Sequence, residues 1–205
     1  MTYLHRSVQD LLASLSDPAP TPGGGSASAL AGAAGLSLLA MVAQMGRTRS
    51  GSEAARQALD QAAAALLPLR DHVAGLIDGD ARAYDGVVAA YRLPRTSDPE
   101  KAARAAAIQG ALRGAAEVPL DVMRVCQAGL AAALEVGRHG NPAAASDVGV
   151  AIELLGTGLR GAALNVRANL GAIDEAGWVE GVRAEVDRLE AALPVLSDDV
   201  RAALA

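Results

Sequence analysis

Residues 21–46 read TPGGGSASALAGAAGLSLLAMVAQMG, and this stretch decides the fold class. It holds no charged residue, and its Ala and Leu content favours a helix, which from about Ser26 to Met45 would span roughly 30 Å. Ala27, Ala31 and Gly35 repeat every four residues on one stripe of that helix. Because these side chains are small, we expect a neighbouring backbone to lie close to the stripe and this helix to be central.

The composition of the whole chain agrees with packed helices. Of its 205 residues, 48 are Ala and only four are aromatic, with no Phe. No run of alternating β-branched residues is long enough for a strand. A chain of this length and 51% apolar content can bury one sizeable core. We therefore expect an all-α fold in which residues 1–205 form a single domain of long, Ala-rich, partly kinked helices.

The helices are predicted from the spacing of apolar residues and from the Pro and Gly residues that separate the apolar segments. The predicted helical regions are about Ser7–Leu15, Ser26–Met45, Ser52–Tyr91, Asp98–Arg138, Asn141–Ala172, Asp174–Leu193 and Asp198–Leu204. We expect the third region to kink or divide near Pro68 and Gly79, and the fourth to break near Pro119, because proline disrupts a helix interior.

Charge and cysteine content exclude several classes of function. The net charge of −5 and the scarcity of aromatic residues argue against a nucleic-acid partner. Cys126 is the only cysteine, so no intramolecular disulfide can form, and a buried, inert thiol is expected. His5, His72 and His139 lie far apart with no HxxxH or HExxH spacing, so we predict no metal site.

The uncharged stretch from Pro18 to Gly46 is long enough to raise the question of a membrane span. Its Ala, Gly and Ser content, its opening prolines and glycines, and Gln44 argue against one. A signal peptide is also disfavoured, because Asp10 and Asp17 precede a late apolar run. We expect a cytoplasmic protein with no membrane partner.

The first segment that could bind a ligand is Thr21-Pro-Gly-Gly-Gly-Ser26, which leads directly into the second helix. Free backbone N–H groups and the helix dipole at such a start can hold an anionic or polar ligand. The GxxxxGK[ST] spacing is absent, which disfavours a nucleoside triphosphate. From the residues alone, the segment is equally well explained as a flexible connection and helix cap.

The second segment is Asp78-Gly-Asp-Ala-Arg-Ala-Tyr-Asp85. Asp78, Arg82 and Asp85 have the spacing of an exposed ion-pair stripe. Asp80 lies on another helix face with Tyr84, Val87 and Tyr91. If that face lines a pocket, the pKa of Asp80 would rise and suit the carboxyl to proton transfer. The alternative is an ordinary surface aspartate.

The third segment is Gly140-Asn-Pro-Ala-Ala-Ala-Ser-Asp147, followed by a helix that carries Asn165 and Asn169. Asn141 and Asp147 can be explained as helix-capping residues. The two later asparagines are costly in an apolar helix unless they find hydrogen-bond partners. Asn165 follows Asp147 by five whole turns, about 27 Å along a straight helix, so the two cannot touch one small ligand within that helix.

Taken together, these segments resemble the cyclodeaminase/cyclohydrolase family, which also supplies the C-terminal domain of formiminotransferase-cyclodeaminase. The resemblance runs in family order through Thr21–Ser26, Leu76–Ala81, Leu93-Pro94, Ala115–Pro119, Gly140–Pro142 with Ser146-Asp147, and Gly161–Arg167. Two positions depart from the family pattern. Tyr84 stands where Phe is usual, and Arg95 stands where Lys is common, which changes hydrogen-bond geometry.

The resemblance implies an all-helical homodimer that acts on one-carbon derivatives of tetrahydrofolate, with no other cofactor bound. It implies hydrolysis of 5,10-methenyltetrahydrofolate to the 10-formyl compound, or cyclisation of 5-formiminotetrahydrofolate with loss of ammonia. We expect Asp80 or Asp147 to supply the catalytic carboxylate, since the methenyl group is cationic. The substrate-binding candidates are Gly23, Gly24, Gly25, Ser26, Tyr84, Asn141 and Asn165.

Two alternatives to the cyclohydrolase remain. One is the cyclodeaminase, although the lack of an accompanying formiminotransferase domain mildly favours the free-standing cyclohydrolase. The other is a non-catalytic helical interaction protein, in which the second helix is simply the core and the polar residues are caps. Thermal protection by tetrahydrofolate would separate an enzyme from an interaction protein.

Overall fold

The computed structural model describes residues 2–205, which form six α-helices and no strand. The helices are α1 (Val8–Ser16), α2 (Gly24–Ala43), α3 (Glu53–Tyr91), α4 (Asp98–His139), α5 (Ala145–Leu170) and α6 (Ala176–Leu204). Short 3₁₀ turns, Tyr3–His5 and Pro142–Ala144, precede α1 and α5. The predicted all-α, single-domain architecture is confirmed.

Helix α2 lies at the centre of the bundle and packs against α3, α4 and α5. By length and composition alone it could span a membrane, yet 61% of its most apolar window is buried inside the bundle. The helix begins at Gly24, two residues before the predicted start, because Gly23 serves as the N-cap and its carbonyl accepts the Ala27 N–H.

Close packing of α2 depends on the predicted Gly35 and on two further glycines, Gly32 and Gly158. A Cβ built on Gly32 would lie 2.9 Å from Cys126 Sγ, and one on Gly158 of α5 would lie 2.9 Å from the Ser28 carbonyl oxygen. Gly35 makes a similar approach to α5, but Ala27 is exposed. The predicted stripe is therefore wrong at Ala27, because the neighbouring helix crosses the other side of α2.

The long helices continue through their prolines, so α3 does not divide and the break predicted in α4 is absent. Helix α3 passes through Pro68 and Gly79, and α4 passes through Pro119. In α3 the core residues Leu66 and Val73, on either side of Pro68, are both fully buried. Burial on both sides stabilises the continuous helix and offsets the hydrogen bond that proline removes.

The two predicted C-terminal helices are in fact one helix, α6, with Pro194 inside it. Leu189, Leu193 and Val200 are buried along a single face that continues past the proline. This continuous apolar face packs α6 onto α4 and α5. The proline therefore lies within the helix rather than marking its end.

The lone thiol behaves as predicted. Cys126 is fully buried where α4 meets Gly32 and Gly158. Desolvation raises the pKa of this thiol to about 12, so it stays protonated and unreactive at neutral pH.

Candidate active site

The glycine-rich start of α2 and the middle of α3 meet at Asp80. One carboxylate oxygen, Asp80 Oδ2, accepts the Ser26 backbone N–H at 3.0 Å and lies 3.2 Å from Ser26 Oγ. Ser26 Oγ also donates to the Ile77 carbonyl oxygen at 2.8 Å. The hydroxyl has only one proton, so the Ser26 oxygen can accept from Asp80 when the carboxyl is protonated. Ser26 therefore supports both protonation states of Asp80.

The absence of a side chain at Gly25 leaves the space that the Asp80 carboxylate occupies. A Cβ built on Gly25 would overlap the carboxylate, with Asp80 Oδ2 at 2.8 Å and Asp80 Oδ1 closer still. No side chain larger than hydrogen fits between the backbone and this carboxylate. Within residues 2–205, Asp80 Oδ1 has no hydrogen-bond donor and is available to a ligand.

The electrostatics of Asp80 combine burial with hydrogen bonding. Burial raises the pKa of the Asp80 carboxyl above its usual value, although the side-chain and backbone hydrogen bonds from Ser26 act in the opposite direction. A raised pKa brings the acid and base forms closer in free energy at neutral pH. Asp80 can therefore accept a proton and return it within one reaction cycle.

Asp80 lines a cavity of about 320 Å³ above the start of α2. The polar part of its lining comes from Thr21, Gly23–Gly25, Asp80, Tyr84, Asn165 and Asn169. The apolar part comes from Pro20, Ala83, Val87, Leu112 and Ala115. The lining is divided about equally between polar and apolar surface, and a cavity in which several polar groups converge beside an apolar wall is typical of a small-molecule site.

Two asparagines of α5 form one wall of this cavity. Asn165 Nδ2 donates to the Gly161 carbonyl oxygen at 2.9 Å, and Asn169 Nδ2 donates to the Ala115 carbonyl oxygen at 2.8 Å. These bonds orient the amides and leave their carbonyl oxygens free to accept N–H groups of a ligand. Asn169 was not among the predicted binding residues, although its spacing of one turn from Asn165 was a usable signal.

The structure thus brings together most of the predicted site residues. Gly23, Gly24 and Gly25 line the cavity with Tyr84. Ser26 fixes the position of Asp80 through the hydrogen bond from its backbone N–H. The first two N–H groups of α2, those of Gly24 and Gly25, have no carbonyl partner within the helix and add hydrogen-bond donors beside Asp80.

Asn141 and Asp147 lie at the opposite end of α5. Asn141 Oδ1 accepts the Ala143 N–H at 3.1 Å and caps the 3₁₀ turn. Asp147 lies in the first turn of α5, about 27 Å from Asn165 along the continuous helix. Within one chain, neither residue lines the Asp80 cavity.

Two other expectations from the sequence are corrected by the structure. Asp78 is buried and accepts the Tyr3 N–H at 2.6 Å, so it does not belong to an exposed ion-pair stripe. Tyr91 does not line the cavity. Its ring instead stacks with the guanidinium group of Arg104, which lies 5.6 Å from the ring centroid.

Residues 2–205 gather no group of three or more His, Cys, Asp or Glu side chains that could hold a metal ion. The chemistry that this cavity can supply from its own residues is therefore proton transfer through Asp80 and hydrogen bonding through the asparagine amides and the α2 N–H groups.

Comparison with known proteins finds similarity along nearly the whole chain. The family model described as formiminotransferase-cyclodeaminase matches residues 7–188. A methenyltetrahydrofolate cyclohydrolase of Methylorubrum extorquens is 38% identical over 96% of this chain and 94% of its own length. The formimidoyltransferase-cyclodeaminase of Sus scrofa is 32% identical over 92% of this chain, which spans 35% of that protein.

A solved structure is similar to the whole bundle. The crystal structure of formiminotetrahydrofolate cyclodeaminase from Thermotoga maritima superposes with a TM-score of 0.85 at 27% identity. The superposition covers 98% of this chain and 96% of that one.

Proposed function

The chain belongs to the formiminotransferase-cyclodeaminase family, and on that basis we propose that it is a methenyltetrahydrofolate cyclohydrolase, converting 5,10-methenyltetrahydrofolate to 10-formyltetrahydrofolate. The choice of reaction rests on the Methylorubrum extorquens cyclohydrolase, which this chain matches almost from end to end. The cyclodeaminases among the curated relatives are about three times longer than the matched region. Its membership in a family of folate enzymes disfavours the non-catalytic interaction protein.

The single observation that carries the mechanism is Asp80, with one free carboxylate oxygen in the cavity. Water adds to the cationic carbon between N5 and N10, and Asp80 Oδ1 takes a proton from that water. The bond from carbon to N5 then breaks, and Asp80 returns its proton to N5. The remaining hydroxyl proton leaves to solvent as the formyl carbonyl forms. Overall, one water is consumed and one proton is released.

The binding residues follow from the same geometry. The carbonyl oxygens of Asn165 and Asn169 accept N–H groups of the pterin ring, while the N–H groups of Gly24 and Gly25 donate to its carbonyl oxygen. Tyr84 and the apolar wall pack against the flat ring. The carboxylate of Asp80 also stabilises the cationic methenyl group.

The cyclodeaminase reaction is the second candidate, favoured by the likeness to the Thermotoga maritima structure. In that reaction N10 attacks the formimino carbon, and the bond from this carbon to the amino nitrogen breaks. Asp80 carries the proton of N10 to the departing nitrogen, and a second proton is taken up from solvent, so that this nitrogen leaves as ammonia and the methenyl cation remains. The same residue can therefore serve either substrate.

A direct assay separates the two reactions. Purified protein is incubated with 5,10-methenyltetrahydrofolate, whose chromophore disappears on hydrolysis, and separately with 5-formiminotetrahydrofolate, from which ammonia is measured. Loss of the chromophore above the uncatalysed rate, absent in Asp80→Asn, supports the cyclohydrolase. Ammonia release without methenyl hydrolysis supports the cyclodeaminase, and turnover of neither substrate rejects the proposal.

The proposal includes a cytoplasmic, homodimeric enzyme that needs no bound cofactor besides its folate substrate. The names of the relatives support the folate substrate. Activity that survives dialysis against a chelator, and a light-scattering mass near twice the 20.6 kDa of one chain, are the expected results.

A further inference from the structure

The substrate proposed above has a charged end that the Asp80 cavity does not neutralise. A tetrahydrofolate carries a glutamate, joined to the pterin through an aminobenzoyl ring, and the glutamate carboxylates are ionised at neutral pH. Among the described residues that line the Asp80 cavity there is no arginine or lysine, and Asp80 itself is acidic. The glutamate therefore lies outside this cavity, where a cation elsewhere on the chain can bind it.

A second cavity, of about 390 Å³, adjoins the first. Thr21 lines both cavities, so they meet at this residue. We call the second one the Arg6 cavity; besides Thr21, its lining includes Tyr3, Arg6, Ala13, Ser14 and Asp17. A ligand whose reacting end lies at Asp80 can extend past Thr21 into the Arg6 cavity.

The Arg6 side chain is held in place, yet its charge is not neutralised. Arg6 Nη1 donates to Ser14 Oγ at 2.5 Å, and the guanidinium carbon lies 4.7 Å from the centroid of the Tyr3 ring. Asp17, the acidic residue of this cavity, accepts the Ala19 N–H at 2.8 Å. Within residues 2–205, Arg6 makes no ion pair with a carboxylate, so its remaining N–H groups are available to an anionic ligand.

Two of the four aromatic residues in the chain line these adjoining cavities. Tyr84 lies in the Asp80 cavity and Tyr3 in the Arg6 cavity. Aromatic side chains pack well against flat rings. A folate has two ring systems, the pterin and the benzoyl ring, so the order of the two tyrosines matches the order of the rings in a ligand that reacts at Asp80.

The N-terminal segment is held at a suitable distance by Asp78. This buried carboxylate accepts the Tyr3 N–H at 2.6 Å and the Leu4 N–H at 3.5 Å. Asp78 precedes Asp80 by two residues, about 3 Å of helix rise. Arg6 follows Tyr3 by three residues, at most ~11 Å of extended chain. An aminobenzoyl ring with its amide bond places the glutamate carboxylates on the order of 10 Å from N10, so Arg6 is within reach of them.

We propose that the Arg6 cavity binds the aminobenzoyl-glutamate tail of the folate, with the benzoyl ring against Tyr3 and a glutamate carboxylate paired with Arg6. This site rests on the folate substrate proposed above. It gives Asp78 a role in binding, since Asp78 positions the segment that carries both Tyr3 and Arg6. The Asp80 cavity then holds the reacting pterin, and the Arg6 cavity adds affinity for the tail.

Truncated ligands test the site by binding alone, without turnover. 6-Methyltetrahydropterin has neither the benzoyl ring nor the glutamate, tetrahydropteroate has the ring, and tetrahydrofolate has both. Isothermal titration of the wild type should show tighter binding at each step. Arg6 should account for ~5-fold of the last step, the size expected of an ion pair at an exposed position. Equal affinities for tetrahydropteroate and tetrahydrofolate would overturn the proposal.

Replacing the arginine tests the carboxylate contact. Arg6→Ala should bind tetrahydrofolate ~5-fold more weakly and tetrahydropteroate as tightly as the wild type does. The matched control is Arg82→Ala, which removes another exposed arginine, two residues after Asp80 and outside the lining of both cavities. The control should keep the full preference for tetrahydrofolate. Loss of this preference in Arg82→Ala but not in Arg6→Ala places the glutamate on the α3 side and rejects the Arg6 cavity.

Replacing the tyrosine tests the ring contact. Tyr3 is anchored to Asp78 through its backbone N–H, so a new side chain leaves that hydrogen bond in place. Tyr3→Leu should reduce the gain in affinity from 6-methyltetrahydropterin to tetrahydropteroate by ~3- to 10-fold, while Tyr3→Phe keeps it. The same gain in Tyr3→Leu as in the wild type would show that the benzoyl ring does not lie against Tyr3.

Alkylation locates the tail independently of affinity. Ala13→Cys places an exposed thiol in the lining of the Arg6 cavity, and Cys126 is too buried to react. Saturating tetrahydrofolate should slow its reaction with N-ethylmaleimide, whereas saturating 6-methyltetrahydropterin should not. Val8→Cys, on the same helix, 76% exposed and outside the lining, is the control and should react equally fast with either ligand. An unprotected Ala13→Cys would overturn the proposal.

These experiments separate failure of the tail site from failure of the proposed function. Equal binding of the three ligands rejects the Arg6 cavity and leaves the folate site at Asp80 intact. Binding of none of them rejects the folate substrate, and the tail site with it.

Discussion

Gly25 and Asp80 occupy one packing position: the carboxylate lies in the space that any side chain at position 25 would fill. The contact fixes the carboxyl group against the first turn of α2, where the Ser26 N–H meets it at 3.0 Å. The glycine-rich turn therefore has a steric role in addition to the hydrogen bonds that a helix start can offer.

Gly25→Ala should reduce turnover by ~100-fold or more, because the new methyl group displaces Asp80 from its position beside the ligand. The matched control is Gly86→Ala, also in a helix but with no atom within 4 Å of the added Cβ. The control should keep its activity and gain up to about 1 kcal/mol of stability. Steady-state kinetics and urea unfolding of both variants test the prediction, and equal kinetics for the two would contradict it.

Asp80→Asn should stabilise the protein while abolishing turnover. Burial raises the folded-state pKa of Asp80 above 3.8, so the folded state binds this proton more tightly than the unfolded state does. Wild-type stability from this group is therefore fully present below pH 3.8 and is lost as the pH rises towards the folded-state pKa. Above that window, Asp80→Asn should unfold at a higher denaturant concentration than the wild type. A lower midpoint at neutral pH would show that the ionised carboxylate stabilises the fold.

The same titration governs activity. Because Asp80 must be ionised to take a proton from water, methenyl hydrolysis should decline as the pH falls through its raised pKa. The decline should occur above the range of an ordinary aspartate. A pH–rate profile that stays flat down to pH 4 would assign the base to another residue.

Asn165→Leu should raise the KM for the folate substrate by ~10-fold with a smaller change in kcat, because the lost amide oxygen binds the ring rather than the reacting carbon. Leucine keeps the volume of the side chain. Asn169→Leu is expected to cost stability as well, because its amide also joins α5 to the Ala115 carbonyl of α4. A fall in kcat at unchanged KM for Asn165→Leu would place Asn165 at the reacting carbon instead.

Asp78→Ala should loosen the N-terminal segment and destabilise the protein by about 1–3 kcal/mol, because the Tyr3 N–H loses its acceptor. Asp85→Ala, on the exposed side of the same helix, is the matched control and should change stability little. Urea unfolding gives the energies, and hydrogen exchange at Tyr3 and Leu4 shows whether the segment has detached. Unchanged exchange in Asp78→Ala would mean that other contacts hold the segment.

The sequence was sufficient for the fold class, for the central position of α2 and for the approximate bounds of its helices. It failed at Pro119 and Pro194, where breaks were expected, and it did not decide between a kink and a division at Pro68, because the local cost of proline is visible in the sequence while the compensating burial on both sides is not. Likewise, Asp78 and Asp80 are two residues apart and both acidic. Only the tertiary contacts separate a buried anchor for the N-terminus from a carboxylate with a free oxygen.

For the site, the sequence identified groups of residues but not which of them meet. Asp80, Tyr84 and the glycines come together because α3 crosses the start of α2. Asn141 and Asp147 also belong to a segment that resembles a functional motif. Because α5 is one continuous helix, they lie at the other end of the bundle from Asn165. Spacing along one helix predicted that separation, and the relation between helices required the structure.

The contact of Gly32 with Gly158 has a consequence for the folding reaction. Helix α2 is synthesised early and can pack first on α3, but α5, which it contacts as extensively, emerges from the ribosome only after α3 and α4 are complete. The packing of α2 against α5 joins segments that are far apart in the sequence. The fold therefore has a higher contact order than a bundle of sequential hairpins, and we expect the whole fold to form more slowly. During that interval α2 is the part of the nascent chain most exposed to aggregation and most in need of a chaperone.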